Sequence, residues 1–180
     1  LTPFRILLLL VIGFVLSILS RKFKIPVIHW FLKNFERPEN LKTFPGKGII
    51  SFFAGVLLVL AIRAFSRDIA LASIMILTLS DSVSHLVGRF LGKLKHPLNG
   101  LKKLEGSVIG VVAGGLGALF FVNIKLAFLG ALVAMILEAI EVKMNGKIVD
   151  DNILVPLVAA TTMHLIKIKF WLALLKYFFI

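Results

Sequence analysis

The chain contains no cysteine, so disulfides and thiolate metal sites are excluded, although the absence does not identify a compartment. Acidic residues are scarce, 9 against 21 Lys and Arg. No stretch is rich enough in Ser, Pro or Gly to act as a linker, which argues for one domain over residues 1–180. Neither a Walker A pattern nor GxGxxG occurs, so the common soluble nucleotide folds are not indicated. Segment 1–20 is apolar, but Arg21-Lys22 follows it in place of a small-residue cleavage site, so it does not read as a signal peptide.

Apolar residues, by contrast, are abundant. They make up 59% of the chain, and the mean hydropathy is +1.00, well above a soluble domain. Runs of roughly 17–25 apolar residues cross a bilayer core, and six candidates are present. They cover Phe4–Ser20, Gly48–Phe65 (with Arg63 near its end), Ile69–Gly88, Ser107–Ile124, Leu126–Glu141 and Asn152 onward. Segment Ile25–Phe35, with Trp30, suits a short amphipathic helix at the interface. The expected fold is therefore all-α: a polytopic integral membrane helix bundle of about six transmembrane helices and a short interfacial helix.

With the N-terminus outside, loops 21–47, 89–106 and 142–152 share the cytoplasmic face and hold 7, 5 and 2 of the 21 Lys and Arg. Positive loops beside anionic headgroups account for the net charge of +12 without nucleic acid, which is not expected as a partner. Asp81, Glu105, Glu138, Glu141, Asp150 and Asp151 fall near that same face, where soluble nucleotides are available.

Asp81 lies within an apolar helix, where a carboxylate costs about 2.5–3.5 kcal/mol and is a functional candidate by default. Helical spacing sets Asp81, His85 and Gly88 on one stripe with Ser84 beside it, and Gly88 and Gly92 lack side chains that would bar a ligand. The plainer reading of Asp81 is an ion pair with a lysine, and of His85 a packing residue. The run Arg89–Ser107 collects Lys93, Lys95, Lys102 and Lys103 and ends in Glu105-Gly106-Ser107. Ser107 is expected to cap a helix whose N-terminus faces phosphate oxygens; an ordinary positive-inside loop is the alternative. Glu138 and Glu141 share a helical face, Glu138 the deeper. Asp150-Asp151-Asn152 offers oxygen donors for Mg²⁺, or a helix N-cap, or both. Gly106, Gly110, Gly114 and Ala118 form a small-residue ridge for helix packing, which also suggests a homodimer.

Taken together, Asp81-Ser82-Val83-Ser84-His85-Leu86-Val87-Gly88-Arg89-Phe90-Leu91-Gly92-Lys93, Lys103-Leu104-Glu105-Gly106-Ser107, Glu138 and Asp150-Asp151-Asn152 with Pro156 resemble the CTP-dependent polyprenol (dolichol) kinase family. Related groups are CTP-dependent diacylglycerol kinases, phytol kinases and phosphatidate cytidylyltransferases. Phe35-Glu36-Arg37 and Pro45-Gly46-Lys47-Gly48 extend the resemblance, which runs from about residue 20 to 165. Two departures stand out. The family's N-terminal Arg-Lys-x-x-His segment is not matched, since His29 follows Arg21-Lys22 at the wrong spacing; either that segment lies upstream of Leu1 or this is a shorter member. Ser82 also stands where Thr or Ala is more usual.

The resemblance implies an integral membrane kinase, in the cell membrane of a prokaryote or the endoplasmic reticulum membrane of a eukaryote, with its active site facing the cytoplasm. CTP would be the phosphoryl donor, a polyprenol or another lipid alcohol the acceptor, and Mg²⁺ or another divalent cation the cofactor. Asp81 or Glu138 would accept the alcohol's proton. Gly88, Gly92, Lys93, Lys95, Lys102, Lys103, Glu105, Gly106 and Ser107 would bind the nucleotide. Asp81, Asp150, Asp151 and Asn152 would hold the metal. A cytidylyltransferase would use similar residues and release pyrophosphate. A small transporter subunit would instead spread its ionisable groups through the bilayer depth.

Overall fold

The computed structural model of the chain describes residues 3–22, 26, 30, 44–140, 142–144 and 147–179. Six helices account for most of these: α1 (Pro3–Lys22), α2 (Lys47–Ala61), α3 (Arg67–Phe90), α4 (Leu104–Ala118), α5 (Ile124–Ile140) and α6 (Asp151–Phe179). Two short antiparallel ladders interrupt the helical order. β1 (Lys95–His96) pairs with β2 (Asn99–Lys103), and β3 (Lys143–Met144) with β4 (Lys147–Ile148). The expected interfacial helix over Ile25–Phe35, the segment Phe35-Glu36-Arg37, and Glu141 lie largely or wholly outside the described residues.

Local chemistry sets several helix ends. Gly46 has φ 82°, a left-handed conformation that glycine adopts without steric cost, and α2 starts from it. Asp68 occupies the first turn of α3 and Arg89 its last, each complementing the helix dipole. Asn123 caps α5, its Oδ1 accepting the Leu126 amide at 3.1 Å. The helices end sooner than the apolar runs suggest. Phe65, Phe121 and Val122 belong to turns and pack back onto the core, so their hydrophobicity does not extend a helix.

The large and small apolar residues are distributed in a way water would disfavour. On α4 the buried residues are Gly106, Gly110, Gly114, Gly115, Gly117 and Ala118, while Val108, Ile109, Val112 and Leu116 face outward. On α5, Ala127, Gly130, Ala131 and Ala134 are buried and Leu129, Leu132 and Ile136 exposed. Small residues inside and branched ones outside are expected of helices packed in lipid, where close backbone approach stabilises the bundle. By length and composition, two helical segments among the described residues suffice to cross a membrane, Arg67–Phe90 and Asp151–Phe170. Phe4–Leu19, Lys47–Ala61 and Leu104–Ala118 are apolar but shorter.

α6 packs against α2, α3 and α5, and α3 lies closely along α4. That last crossing uses the glycine ridge. A Cβ at Gly106 would sit 2.5 Å from the Ser84 carbonyl oxygen, and one at Gly114 2.0 Å from Ser80 Oγ. The ridge expected to support a homodimer is thus occupied within the chain, and it is not a free dimer surface. The α2–α6 crossing is equally close, with Gly55 against the carbonyl of Asn152. Pro156, four residues on, has no N–H to bond that carbonyl, so the helix leaves it open where Gly55 approaches.

Candidate functional site

Segments 91–103, 142–144 and 147–150 and the residues leading into α2 lie at one end of the bundle. There α3 and α5 finish, and α2, α4 and α6 begin. α1 reaches the same end, where Ser17 Oγ donates a hydrogen bond to the Pro45 carbonyl.

The basic run after α3 is a β-hairpin in register Lys95↔Lys103 and His96↔Asn99, not an open loop. Its strands lead directly into α4, which begins at Leu104 with Lys103 at the cap position and no side-chain cap. Ser107 is the fourth residue of that helix, so the expected serine cap is corrected. Glu105 turns back to the hairpin: Oε1 accepts the amides of Lys93 at 2.9 Å and Leu94 at 3.0 Å. Glu105 stands ahead of the apolar stretch that opens at Ser107. Backbone donors, the Leu94 amide foremost, hold its carboxyl below the usual carboxylate range. Its oxygens serve the hairpin, a positioning role in place of the nucleotide contact expected of it.

A cleft of about 280 Å³ opens between the hairpin and the ends of α3 and α5, lined by Ser84, His85, Gly88, Arg89, Leu101, Lys102, Lys103, Ser107 and Glu138. Of the expected nucleotide residues, Gly88, Lys102, Lys103 and Ser107 meet here. Lys93 and Lys95 are exposed and do not line the cleft. Gly92 and Gly106 are packing positions: a Cβ at Gly92 would lie 2.4 Å from the Gly88 carbonyl oxygen and 2.6 Å from Lys103 Cγ. Gly88 leaves more room, its nearest neighbour being Lys103 Cβ at 3.6 Å.

Glu138 is buried, with its side chain 3% exposed. Lys102 Nζ donates to its Oε1 at 2.8 Å and to its backbone carbonyl at 3.0 Å. Oε2 is buried without a hydrogen-bond partner. Such an atom is costly unless something enters the cleft to meet it. Lys102 is therefore committed to Glu138, and Lys103 and Arg89 are the lining cations that remain for an anionic ligand.

Next to the cleft, Asp81 and His85 on α3 face Asp151 on α6. One ligand atom from each lies within 4.8 Å of the other two. Asp81 Oδ1 is 3.1 Å from His85 Nε2 yet is buried without a geometrically sound hydrogen bond. Two carboxylates and an imidazole fit a divalent cation. The neighbouring donors are otherwise occupied. Asp150 Oδ1 accepts the Asn152 backbone amide at 3.2 Å and its side-chain Nδ2 at 3.1 Å, as the N-cap of α6. Asp150 Oδ2 lies 3.9 Å from Lys47, and Asn152 Nδ2 also donates to Ser51 Oγ at 3.1 Å. Of the four expected metal residues, then, Asp81 and Asp151 converge, with Asp151 Oδ1 also accepting the Asn152 amide at 3.0 Å, whereas Asp150 and Asn152 form a cap that fixes α6 against α2. Arg89 and Leu101 join the site without being expected there, and His85, on the Asp81 stripe at i, i+4, meets the cluster where the plainer expectation was a packing residue.

Two proteins are similar to this chain in sequence. The chain is similar to the CTP-dependent diacylglycerol kinase 1 of Eremothecium gossypii, at 28% identity over 156 residues, 72% of this chain and 47% of that protein. It is also similar to a probable chloroplastic phytol kinase 1 of Glycine max, at 30% identity over 131 residues, 61% of this chain and 42% of that protein. This chain thus spans less than half the length of either relative. No family model matches it, and no solved structure does. At this modest identity, the two relatives support the lipid-kinase family suggested by the motifs.

Proposed function

We propose that this chain is the membrane-embedded catalytic part of a CTP-dependent lipid kinase. It would transfer the γ-phosphoryl group of CTP to the hydroxyl of a lipid alcohol at the cytoplasmic face. The observation that carries the reading is the cleft itself. A buried carboxylate with one unpaired oxygen, two lining cations besides Lys102 and a three-donor cluster gather at the polar end of a bundle whose α4 and α5 turn branched side chains outward. This clustering also argues against a transporter relay.

Phosphoryl transfer leaves a protein mainly positioning and charge neutralisation to supply. Arg89 and Lys103 bind the phosphates, and the Ser107 hydroxyl donates to a phosphate oxygen. Lys102 fixes Glu138, so that Oε2 faces the cleft and takes the proton from the alcohol. The alcohol oxygen bonds to the γ-phosphorus as the bond to the β–γ bridging oxygen breaks, and CDP departs with that electron pair. A divalent cation, Mg²⁺ in the sequence reading, would be held by Asp81 and Asp151 and neutralise charge on the phosphates.

The acceptor read from the motifs is a polyprenol such as dolichol; the relatives are named for diacylglycerol and phytol. The test is purified protein with γ-labelled CTP and a panel of polyprenol, phytol and diacylglycerol. Labelled lipid together with CDP is the expected result, and the preferred acceptor identifies the substrate. Pyrophosphate release would assign a cytidylyltransferase, and failure to label any of the three lipids would reject the kinase.

A further inference from the structure

We propose that His85 is a direct ligand of the cation site, alongside Asp81 and Asp151. Its imidazole nitrogen makes the site select a first-row ion such as Mn²⁺ over Mg²⁺ and Ca²⁺. The inference rests on the kinase reading only for what the ion does, since binding and selectivity are properties of the three side chains.

Geometry is the first support. His85 Nε2 and Asp81 Oδ1 are 3.1 Å apart, and all three donors fall within a 4.8 Å span. Two cis ligands at roughly 2.1 Å from an ion lie roughly 3 Å apart, so the α3 pair already has the edge length of a coordination shell. The contact also lacks sound hydrogen-bond geometry, leaving Asp81 Oδ1 buried and unsatisfied. A cation between the two groups would give that oxygen a ligand bond in place of its bare contact with the imidazole.

The second support is independent. Glu138 lines the same cleft as His85, has its side chain 3% exposed, and carries a second unsatisfied oxygen, Oε2. Two carboxylate oxygens in adjoining positions, Glu138 Oε2 and the Asp81 Oδ1 that faces His85 across 3.1 Å, thus lack a hydrogen-bond donor and have room for a positively charged guest. His85 is itself 56% exposed, so the ion would keep open positions toward the cleft for phosphate oxygens.

Selectivity follows from donor chemistry. Carboxylate oxygens suit Mg²⁺, Ca²⁺ and Mn²⁺ alike, whereas an imidazole ligand shifts the preference toward the first-row ions, of which Mn²⁺ is the weakest binder and so the most stringent probe. An all-oxygen shell would have needed Asp150 and Asn152, and both are tied into the α6 cap.

The test uses untagged protein in detergent without nucleotide. Mn²⁺ binding is followed by electron paramagnetic resonance, and the bound ion is examined by electron spin-echo modulation for a coupled nitrogen-14. Wild type should bind Mn²⁺ with imidazole nitrogen coupling, and Mg²⁺ should displace it only in large excess. His85→Gln should lose the coupling and weaken Mn²⁺ binding roughly tenfold or more, at least the loss typical of disturbing a ligand's support. His85→Asp, which retains three donors, should bind without the coupling and narrow the preference over Mg²⁺. The proposal is overturned if Mn²⁺ does not bind, if it binds without nitrogen coupling, if the coupling survives in His85→Gln, or if Mg²⁺ competes on equal terms. CTP binding and lipid labelling in the same preparation keep the readings apart: if both persist while nitrogen coupling is absent, the kinase stands and this assignment falls.

Discussion

Lys102 Nζ bridges the Oε1 and the backbone carbonyl oxygen of Glu138, at 2.8 and 3.0 Å, and so joins the hairpin to the end of α5. The lysine side chain is 23% exposed and the glutamate 3%. Removing one member strands a charge in a poorly solvated place, which costs about 3 kcal/mol or more in comparable pairs. Lys102→Met should therefore lower thermal stability sharply, and adding Glu138→Gln should recover most of it. Turnover should stay low in the double variant, because the proton acceptor is gone. Recovery of both stability and turnover would reduce the pair to a structural strut.

Glu105 holds the hairpin by accepting the Lys93 and Leu94 amides. Glu105→Ala should release the hairpin without unfolding the bundle. Limited trypsin digestion at Lys93, Lys95, Lys102 and Lys103 would show it as faster cleavage, with an increase in KM for CTP. The donors lower the Glu105 pKa, so the latch contributes above the carboxyl's unfolded value and is lost only as pH falls through the depressed folded value. Hydrogen exchange at the Lys93 and Leu94 amides of wild type, which needs no protease, should accordingly stay slow through the ordinary carboxylate range. Early acceleration there would contradict the latch.

The helices were legible because apolar runs dominate this chain, and a helix lies near each of the six expected places, although only two described segments are long and apolar enough to cross a membrane. Asp81 and Glu138 were legible for a related reason, since a carboxylate among apolar residues needs an explanation. The hairpin was not, because Lys95, Asn99 and Lys103 carry no strand periodicity and are paired only once α3 and α4 hold the two ends. Glu105 and Ser107 show the same limit. Serine is a favoured cap residue, but β2 leads into the helix three residues earlier and Glu105 is drawn to amides twelve and eleven residues back. Nor could spacing divide Asp150-Asp151-Asn152 into a cap and a ligand, which depends on where α2 and α3 lie.

Two glycines make different demands. At Gly114 the obstacle to a Cβ is Ser80 Oγ at 2.0 Å, whereas at Gly55 it is the backbone oxygen of Asn152 at 2.0 Å. Both Gly114→Ala and Gly55→Ala should destabilise, by about 1–3 kcal/mol as overpacking does. Ser80→Ala should rescue the first substantially, and no side-chain change should rescue the second. Thermal denaturation of the single and paired variants checks this; equal rescue of both would show that the helix crossings are looser than described.

Orientation can be tested through the second strand of the hairpin. Gly100 has nothing within 4 Å of an added Cβ, so Gly100→Cys introduces one accessible thiol into a cysteine-free chain. In right-side-out membranes it should resist an impermeant maleimide and react after permeabilisation. Labelling from outside would place the cleft away from cytoplasmic CTP.

The sharpest prediction concerns Asp81. The expected rival reading was an ion pair with a lysine, and its neighbour is instead His85, with Asp151 of α6 close by. Asp81→Asn preserves size while removing one negative charge from a cluster of carboxylates, so the protein should insert and fold at least as well as wild type. Phosphoryl transfer should nevertheless fall by orders of magnitude, because charge neutralisation and positioning supply nearly all of the catalysis in this reaction. If Asp81 only fastened α3 to its surroundings, the effects would be reversed: stability would drop, and turnover per folded molecule would stay near normal. Melting temperature and initial rate on one preparation separate the two cases, and a destabilised Asp81→Asn protein with near-normal turnover would remove Asp81 from the reaction.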